Sequence, residues 1–245
     1  MKPQDCGPQY KSKLRESANF AAWVIKKVCK DIGPRPSGSE QELEAEKFIA
    51  EKVGKAADEV QTEAFTVAPK AFFGWERIDG VCLALATIFL LFDMAAVSLV
   101  LAVVSIACLA GEFLFYKEVL DPFFKKEESS NVICTRKASG ETKRRIIIGG
   151  HMDTAYEWRY TYLGGPKLVT TVVVSAVLGL LVTMGLSIAG FFVDNRTAEI
   201  VLIVVQALMI PALISVMFFV NWKLPVDGAA DDLTGVFTAM AALLY

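Results

Sequence analysis

The chain has 245 residues, 54% of them hydrophobic, and a mean hydropathy of +0.44. It is too apolar for an ordinary soluble domain, and the excess sits in a few long runs. A formal net charge of -2 excludes a strongly basic nucleic-acid surface, and the odd set of five cysteines (6, 29, 82, 108, 134) suggests no disulfide framework.

In chain order, MKPQDCGPQYKSKLRES is polar and lacks the apolar core of a signal peptide. From about Tyr10 to Ile32, residues Ala18, Ala21, Ala22, Ile25, Val28 and Ile32 recur at helical spacing. Gly33-Pro34-Arg35-Pro36 cannot continue that helix. Ser39 with Glu42 three residues on reads as a capping box, and Ala45, Phe48, Ile49 and Val53 carry a second amphipathic helix. The apolar region Ile78 to Tyr116 would be roughly 55 Å long as one helix, too much for a single crossing of a bilayer. Asp93 interrupts it, so two helices meeting there are expected, the first short and carrying Asp79. Ile146, Ile147 and Ile148 form a continuous β-branched run, expected as a strand buried on both faces. His151, the only histidine, then falls at the strand's C-terminal edge, where open α/β sheets bind ligands. Leu168 to Val193 and Ile200 to Val220 are almost uncharged and long enough to cross about 30 Å of hydrocarbon, with a polar turn from Asp194 to Glu199 between them. Pro211 is a possible kink in the second span, and Val236 to Leu244 reads as a helix.

Two segments carry chemistry. In His151-Met152-Asp153-Thr154, a histidine at a strand end has a carboxylate two residues on, close enough to hold the other ring nitrogen and fix the tautomer. In GAADDLTG, from Gly228 to Gly235, Asp231 and Asp232 follow a flexible turn and precede a helix. Taken singly, the first is a polar pair in a loop and the second a pair of helix caps. Histidine and carboxylates are also the ligand set that suits zinc.

Together with GPRPSGSEQELEAEKFIAEKV (Gly33 to Val53), and in this order, the segments resemble the zinc aminopeptidases that include glutamate carboxypeptidases, metallopeptidase family twenty-eight. The resemblance covers only the soluble parts of the chain. It implies an α/β fold: an incomplete zinc-peptidase α/β/α sandwich with a mixed sheet, interrupted by two transmembrane helical hairpins. It also implies metal ligation by His151 and Asp231, with Asp153 orienting His151, Asp231 bridging two zinc ions and Asp232 a neighbour. The expected activity is metal-assisted hydrolysis of peptide substrates by an exopeptidase. The family's general-base glutamate, its further acidic ligands and its second histidine follow the Asp231 segment, and none follows here before Tyr245. The chain is therefore expected to be an N-terminal part, inactive alone. The competing class is a non-catalytic integral membrane protein, a transporter fragment or a scaffold, which would hold no metal. Tyr156, Trp158, Tyr160 and Tyr162 are candidates for a cleft lining or, more in keeping with the adjacent span, interface anchors.

The expected organisation is a soluble part over 1–76, a first hairpin over 77–117, peptidase-like strands with His151 over 118–166, a second hairpin over 167–221, and the Asp231 segment over 222–245. Two hairpins leave every soluble segment on one side of the bilayer, as a single sheet requires. Lys70, Arg77, Lys117, Lys125, Lys126, Arg159, Lys167 and Lys223 flank the spans on that side, whereas the hairpin turns offer only Arg196. The bias of Lys and Arg toward cytoplasmic flanks places the peptidase-like part in the cytoplasm. A reporter fused at Asn195 is accordingly expected to score as exterior; a cytoplasmic score there would reverse the orientation.

Overall fold

Apolar positions spaced three to four residues apart dominate the chain, and the result is 61% helix with two small antiparallel sheets. The computed structural model describes residues 8–244; the first seven residues, Cys6 among them, lie outside the described residues. The elements are α1 (Pro8–Lys27), α2 (Glu40–Gly54), β1 (Glu59–Val67), α3 (Trp75–Leu91), α4 (Ala95–Leu109), β2 (Glu127–Thr135), β3 (Tyr156–Trp158), α5 (Arg159–Ala189), α6 (Arg196–Met217), β4 (Val220–Pro225) and α7 (Leu233–Leu244). The chain divides into two compact units: Met1–Val67, Glu127–Tyr156 and Leu224–Tyr245 form the first, Ala68–Lys126 and Glu157–Lys223 the second. The four cysteines among the described residues are free thiols.

In the first unit, α1 continues as a π-helical turn, Val28–Ile32, which Gly33 ends at φ 83° while donating to Val28 O at 2.9 Å. Val24 and Val28 of α1, Ala45, Ile49 and Val53 of α2, and Leu233, Val236 and Met240 of α7 form one buried cluster. The apolar stripe of each helix thus meets the other two, and burial of these side chains stabilises the unit. Ser39 caps α2 by accepting from Glu42 N at 3.2 Å. The reciprocal half of the capping box differs from expectation. Glu42 accepts from Gly38 N at 2.6 Å and from Ser129 Oγ of β2 at 3.0 Å, while Ser39 N donates to Pro36 O. Glu46 likewise accepts from Ser130 Oγ, so two buried carboxylates tie α2 to the β-ribbon. That ribbon is an antiparallel ladder from Glu59 opposite Thr135 to Val67 opposite Glu127.

The Ile146–Ile148 run corrects a second expectation. It forms no strand, and its side chains are 80%, 87% and 46% exposed. A β-branched run becomes a strand only where a neighbour supplies pairing, and the ladder of this unit joins β1 to β2 alone among the described residues.

In the second unit, α3 to α6 pack as a helical bundle around Leu83, Leu180 and Leu213. The α3–α4 hairpin breaks where Asp93 adopts φ 56°, a left-handed conformation that asparagine and aspartate tolerate better than most residues. The turn between α5 and α6 lies at residues 190–195, four residues earlier than expected. Asn195 accepts from Ala198 N at 2.9 Å and starts α6 at Arg196, and Glu199 in its first turn pairs with Arg196. Gly165, at φ 68°, and Pro166 kink α5 near its start. Among the described residues, three segments are long and apolar enough to cross a membrane: Ala95–Leu114, which is α4 with its π-helical extension, Arg159–Ala189 and Arg196–Met217. α3 is shorter, at 17 residues, and buries Glu76 and Asp79 on its inner face.

The bundle reverses the usual arrangement of side chains. Val100, Val103, Val174, Leu178, Val204 and Leu208 point outward, whereas Ser98, Ser105, Thr183, Ser187 and Gln206 are buried. Gln206 Nε2 donates to Thr87 Oγ1 at 2.8 Å and Thr183 Oγ1 at 2.9 Å, joining α6 to α3 and α5, and Ser98 and Ser187 hydroxyls meet at 2.7 Å between α4 and α5. Close helix approach needs small residues: a Cβ on Gly179 would stand 2.9 Å from Leu213 Cδ2. Both threonine hydroxyls already donate to carbonyls four residues back. Gln206→Leu therefore removes two acceptor contacts without stranding a donor, and is expected to destabilise the bundle by about 1 kcal/mol. Thermal unfolding in detergent measures this; a loss above about 3 kcal/mol would give the glutamine a larger part than these two bonds.

Candidate functional site

His151, Asp153, Asp231 and Asp232 all belong to the first unit. The loop that ends in His151 lies directly on the start of α7. A Cβ on Gly150 would stand 2.2 Å from Val236 N and 2.4 Å from Gly235 C, so only glycine allows this approach. Asp232 secures it. One carboxylate oxygen accepts from Gly235 N at 2.9 Å, which caps α7, and the other from His151 N at 3.3 Å. The peptide joining Asp231 to Asp232 is cis.

The imidazole of His151 is half-exposed between two carboxylates. Nδ1 lies 3.1 Å from Asp153 Oδ1, and Nε2 lies 3.1 Å from Asp231 Oδ1, whose side chain is open to solvent. In the neutral ring only one nitrogen carries a proton. If Nδ1–H donates to Asp153, the Nε2 lone pair faces a carboxylate oxygen, and two acceptors at that distance need a positive charge. A proton on Nε2 supplies it, and so would a metal ion. Burial by itself lowers the His151 pKa, and the charges and hydrogen bonds of Asp153 and Asp231 outweigh it, leaving the imidazolium favoured above the usual histidine range.

Behind these groups lies Arg35, which is fully buried. Its Nε donates to Met152 O at 3.1 Å, Nη1 to Gly33 O at 2.6 Å and Nη2 to Asp227 O at 3.0 Å. Its backbone pairs with Thr154 twice: Arg35 N donates to Thr154 Oγ1 and Thr154 N to Arg35 O, both at 2.9 Å. One residue thus joins the GPRP turn, the HMDT loop and the loop that leads to Asp231. Gly228, at φ 62°, completes the junction, since a Cβ there would stand 2.4 Å from Thr154 Cγ2. Burial lowers the Arg35 pKa, partly offset by Cys29, Asp227 and Asp153.

The structure therefore brings Asp153 and Asp231 each within hydrogen-bonding distance of the His151 ring, and Asp232 within reach of the His151 backbone N–H. Sequence reasoning missed Arg35, Thr154, Gly150 and Gly228. Nothing in GPRP separates a buried arginine from a surface one, because its partners are carbonyls far along the chain. Trp158 and Tyr160 pack on Phe219, and Trp158 also on Phe73, within the helical unit, while Tyr162 is exposed. Among the described residues, no group of three or more His, Cys, Asp or Glu side chains is arranged to hold a metal ion. No protein-family model, no curated protein and no solved structure matches the chain.

The raised His151 pKa means that its two contacts contribute stability in full below the ordinary value of about 6.5, and that this contribution is lost as pH rises through the folded-state value. In the metal-free protein, NMR titration of this lone imidazole is expected to give a midpoint above the ordinary value, lowered by Asp153→Asn and by Asp231→Asn. An unshifted midpoint would remove the two-carboxylate account.

Proposed function

We propose that this chain carries one part of the zinc centre of a membrane-anchored exopeptidase of the aminopeptidase type, on a domain similar to the α/β/α sandwich of metallopeptidase family twenty-eight. The observation that carries the reading is the approach of His151 Nε2 and Asp231 Oδ1, 3.1 Å apart at an accessible surface with Asp153 on the other side of the ring. The donor set fits zinc in chemistry and in span. Ligand bonds of about 2.0–2.1 Å in a tetrahedron set neighbouring ligand atoms about 3.3 Å apart. Two ligands do not complete a catalytic site, which uses three protein groups and an open position. Further ligands and a general base are needed to complete it.

The chain's own residues have distinct tasks in this reading. Asp153 holds the Nδ1 proton of His151 and so presents the Nε2 lone pair outward. Asp231 offers a carboxylate with two oxygens, the form needed to bridge two ions. Asp232 holds the His151 backbone on the start of α7 and keeps the two ligands at a fixed separation. Zinc, when bound, would acidify a water and polarise the scissile carbonyl. The apolar helices would anchor the chain in the bilayer, with the peptidase-like part and its peptide substrates on the cytoplasmic side.

Metal analysis of the purified chain tests the reading. A single zinc ion per chain is expected, with affinity reduced at least roughly tenfold in His151→Ala and in Asp231→Ala. Peptide hydrolysis is expected only when polypeptide supplying the general base is joined to the chain. Wild-type protein without affinity for zinc, and inactive in that joined form, would instead favour a non-catalytic membrane protein.

A further inference from the structure

Arg35 is the one fully buried cation of the first unit among the described residues, and no carboxylate receives any of its hydrogen bonds. Removing an arginine side chain from water is costly unless its donors are filled. Here each of its three nitrogens donates to a main-chain carbonyl, of Met152, Gly33 and Asp227. Met152 O lies between His151 and Asp153, and Asp227 O lies four residues ahead of Asp231. Backbone pairing joins the two loops at their far ends, where Val226 N donates to Ala155 O at 3.0 Å, and the planar guanidinium fixes their separation nearer His151 and Asp231. We propose that Arg35 is the positioning residue of the site: it holds the His151 loop and the Asp231 loop in register, so that Nε2 and Oδ1 face each other. For zinc affinity this inference rests on the reading above; for the geometry of the two loops it does not.

The fork shape matters. Nε and Nη2 diverge from a rigid plane, and one ammonium on a flexible stem cannot reach both carbonyls with the same geometry. Lysine at position 35 keeps the charge and loses the register. Thr154 supports the arginine from its backbone, and it is itself buried, so Thr154→Val removes the Oγ1 acceptor while keeping the volume.

Because the chain has a single histidine, its imidazole nitrogen-15 signals report the site without ambiguity. In the metal-free, full-length protein in detergent, Asp231→Asn is expected to shift the Nε2 resonance of the wild type, because the two groups are in contact. The same substitution in an Arg35→Lys background is expected to leave that resonance unmoved, and in a Thr154→Val background to move it less. Zinc affinity, read by competition with a chelator, is expected to fall roughly ten- to hundredfold in Arg35→Lys, as for partners that orient metal ligands. An Nε2 response as large in both backgrounds as in the wild type would overturn the proposal. Failure of the wild type to bind zinc would remove the metal reading alone, since the metal-free response still decides the role of Arg35. Should Arg35→Lys not fold, an undiminished response in Thr154→Val overturns the proposal, and a diminished one supports it.

Discussion

A buried guanidinium that hydrogen-bonds main-chain carbonyls instead of a carboxylate is the constraint on which the first unit turns. Arg35 satisfies its donors with carbonyls of Gly33, Met152 and Asp227, and its backbone is stitched to Thr154. Loops carry their own conformational freedom, and two of them meeting at a functional site must lose it together. In this chain the residues before His151 pair with no strand among the described residues, and backbone pairing begins only after the site, where Val226 N donates to Ala155 O. The ordering at the site comes from one arginine on one side and from Asp232 with the start of α7 on the other.

The two units answer opposite solvents with the same alphabet. In the first, valine, isoleucine and leucine close the interior between α1, α2 and α7, and charged groups stay outside or are bonded in pairs, as Glu42 is to Ser129. In the second, aliphatic side chains cover the outside, and serine, threonine and glutamine make the interior contacts. That reversal is favourable where the surroundings are as apolar as leucine, so that packing and hydrogen bonds, rather than burial, distinguish the inside.

Much of the local structure was legible because its causes are local. Ser39 starts a helix with its own hydroxyl, Asp93 can turn the chain by its own backbone tolerance, and the periodicity of Val28, Ala45, Ile49 and Val53 records which face is covered. The proximity of His151, Asp153 and Asp231 follows from segments whose order is visible in the chain. What stayed hidden is set by distant partners. The Ile146–Ile148 run has strand composition and no strand, since pairing is a property of a neighbour. Arg35 looks like any arginine in a turn, because its hydrogen bonds go to carbonyls, which every residue has. Glu42 follows the spacing of a capping box but reaches Gly38 and Ser129 instead, a choice fixed by where β2 lies.

The interleaved order of the two units has a consequence for how the molecule is made. Arg35 meets Asp227 across 192 positions of chain, and the cluster of Val24 and Ile49 is closed by Leu233 and Met240 near the other end. Both helical hairpins are synthesised between these partners. The α1–α2 layer therefore emerges early with half of its apolar face uncovered, and remains so until α7 is released from the ribosome. Contacts this far apart close slowly, and uncovered apolar surface is prone to aggregation in the interval. The arrangement lets the first unit close only after both hairpins have been translated.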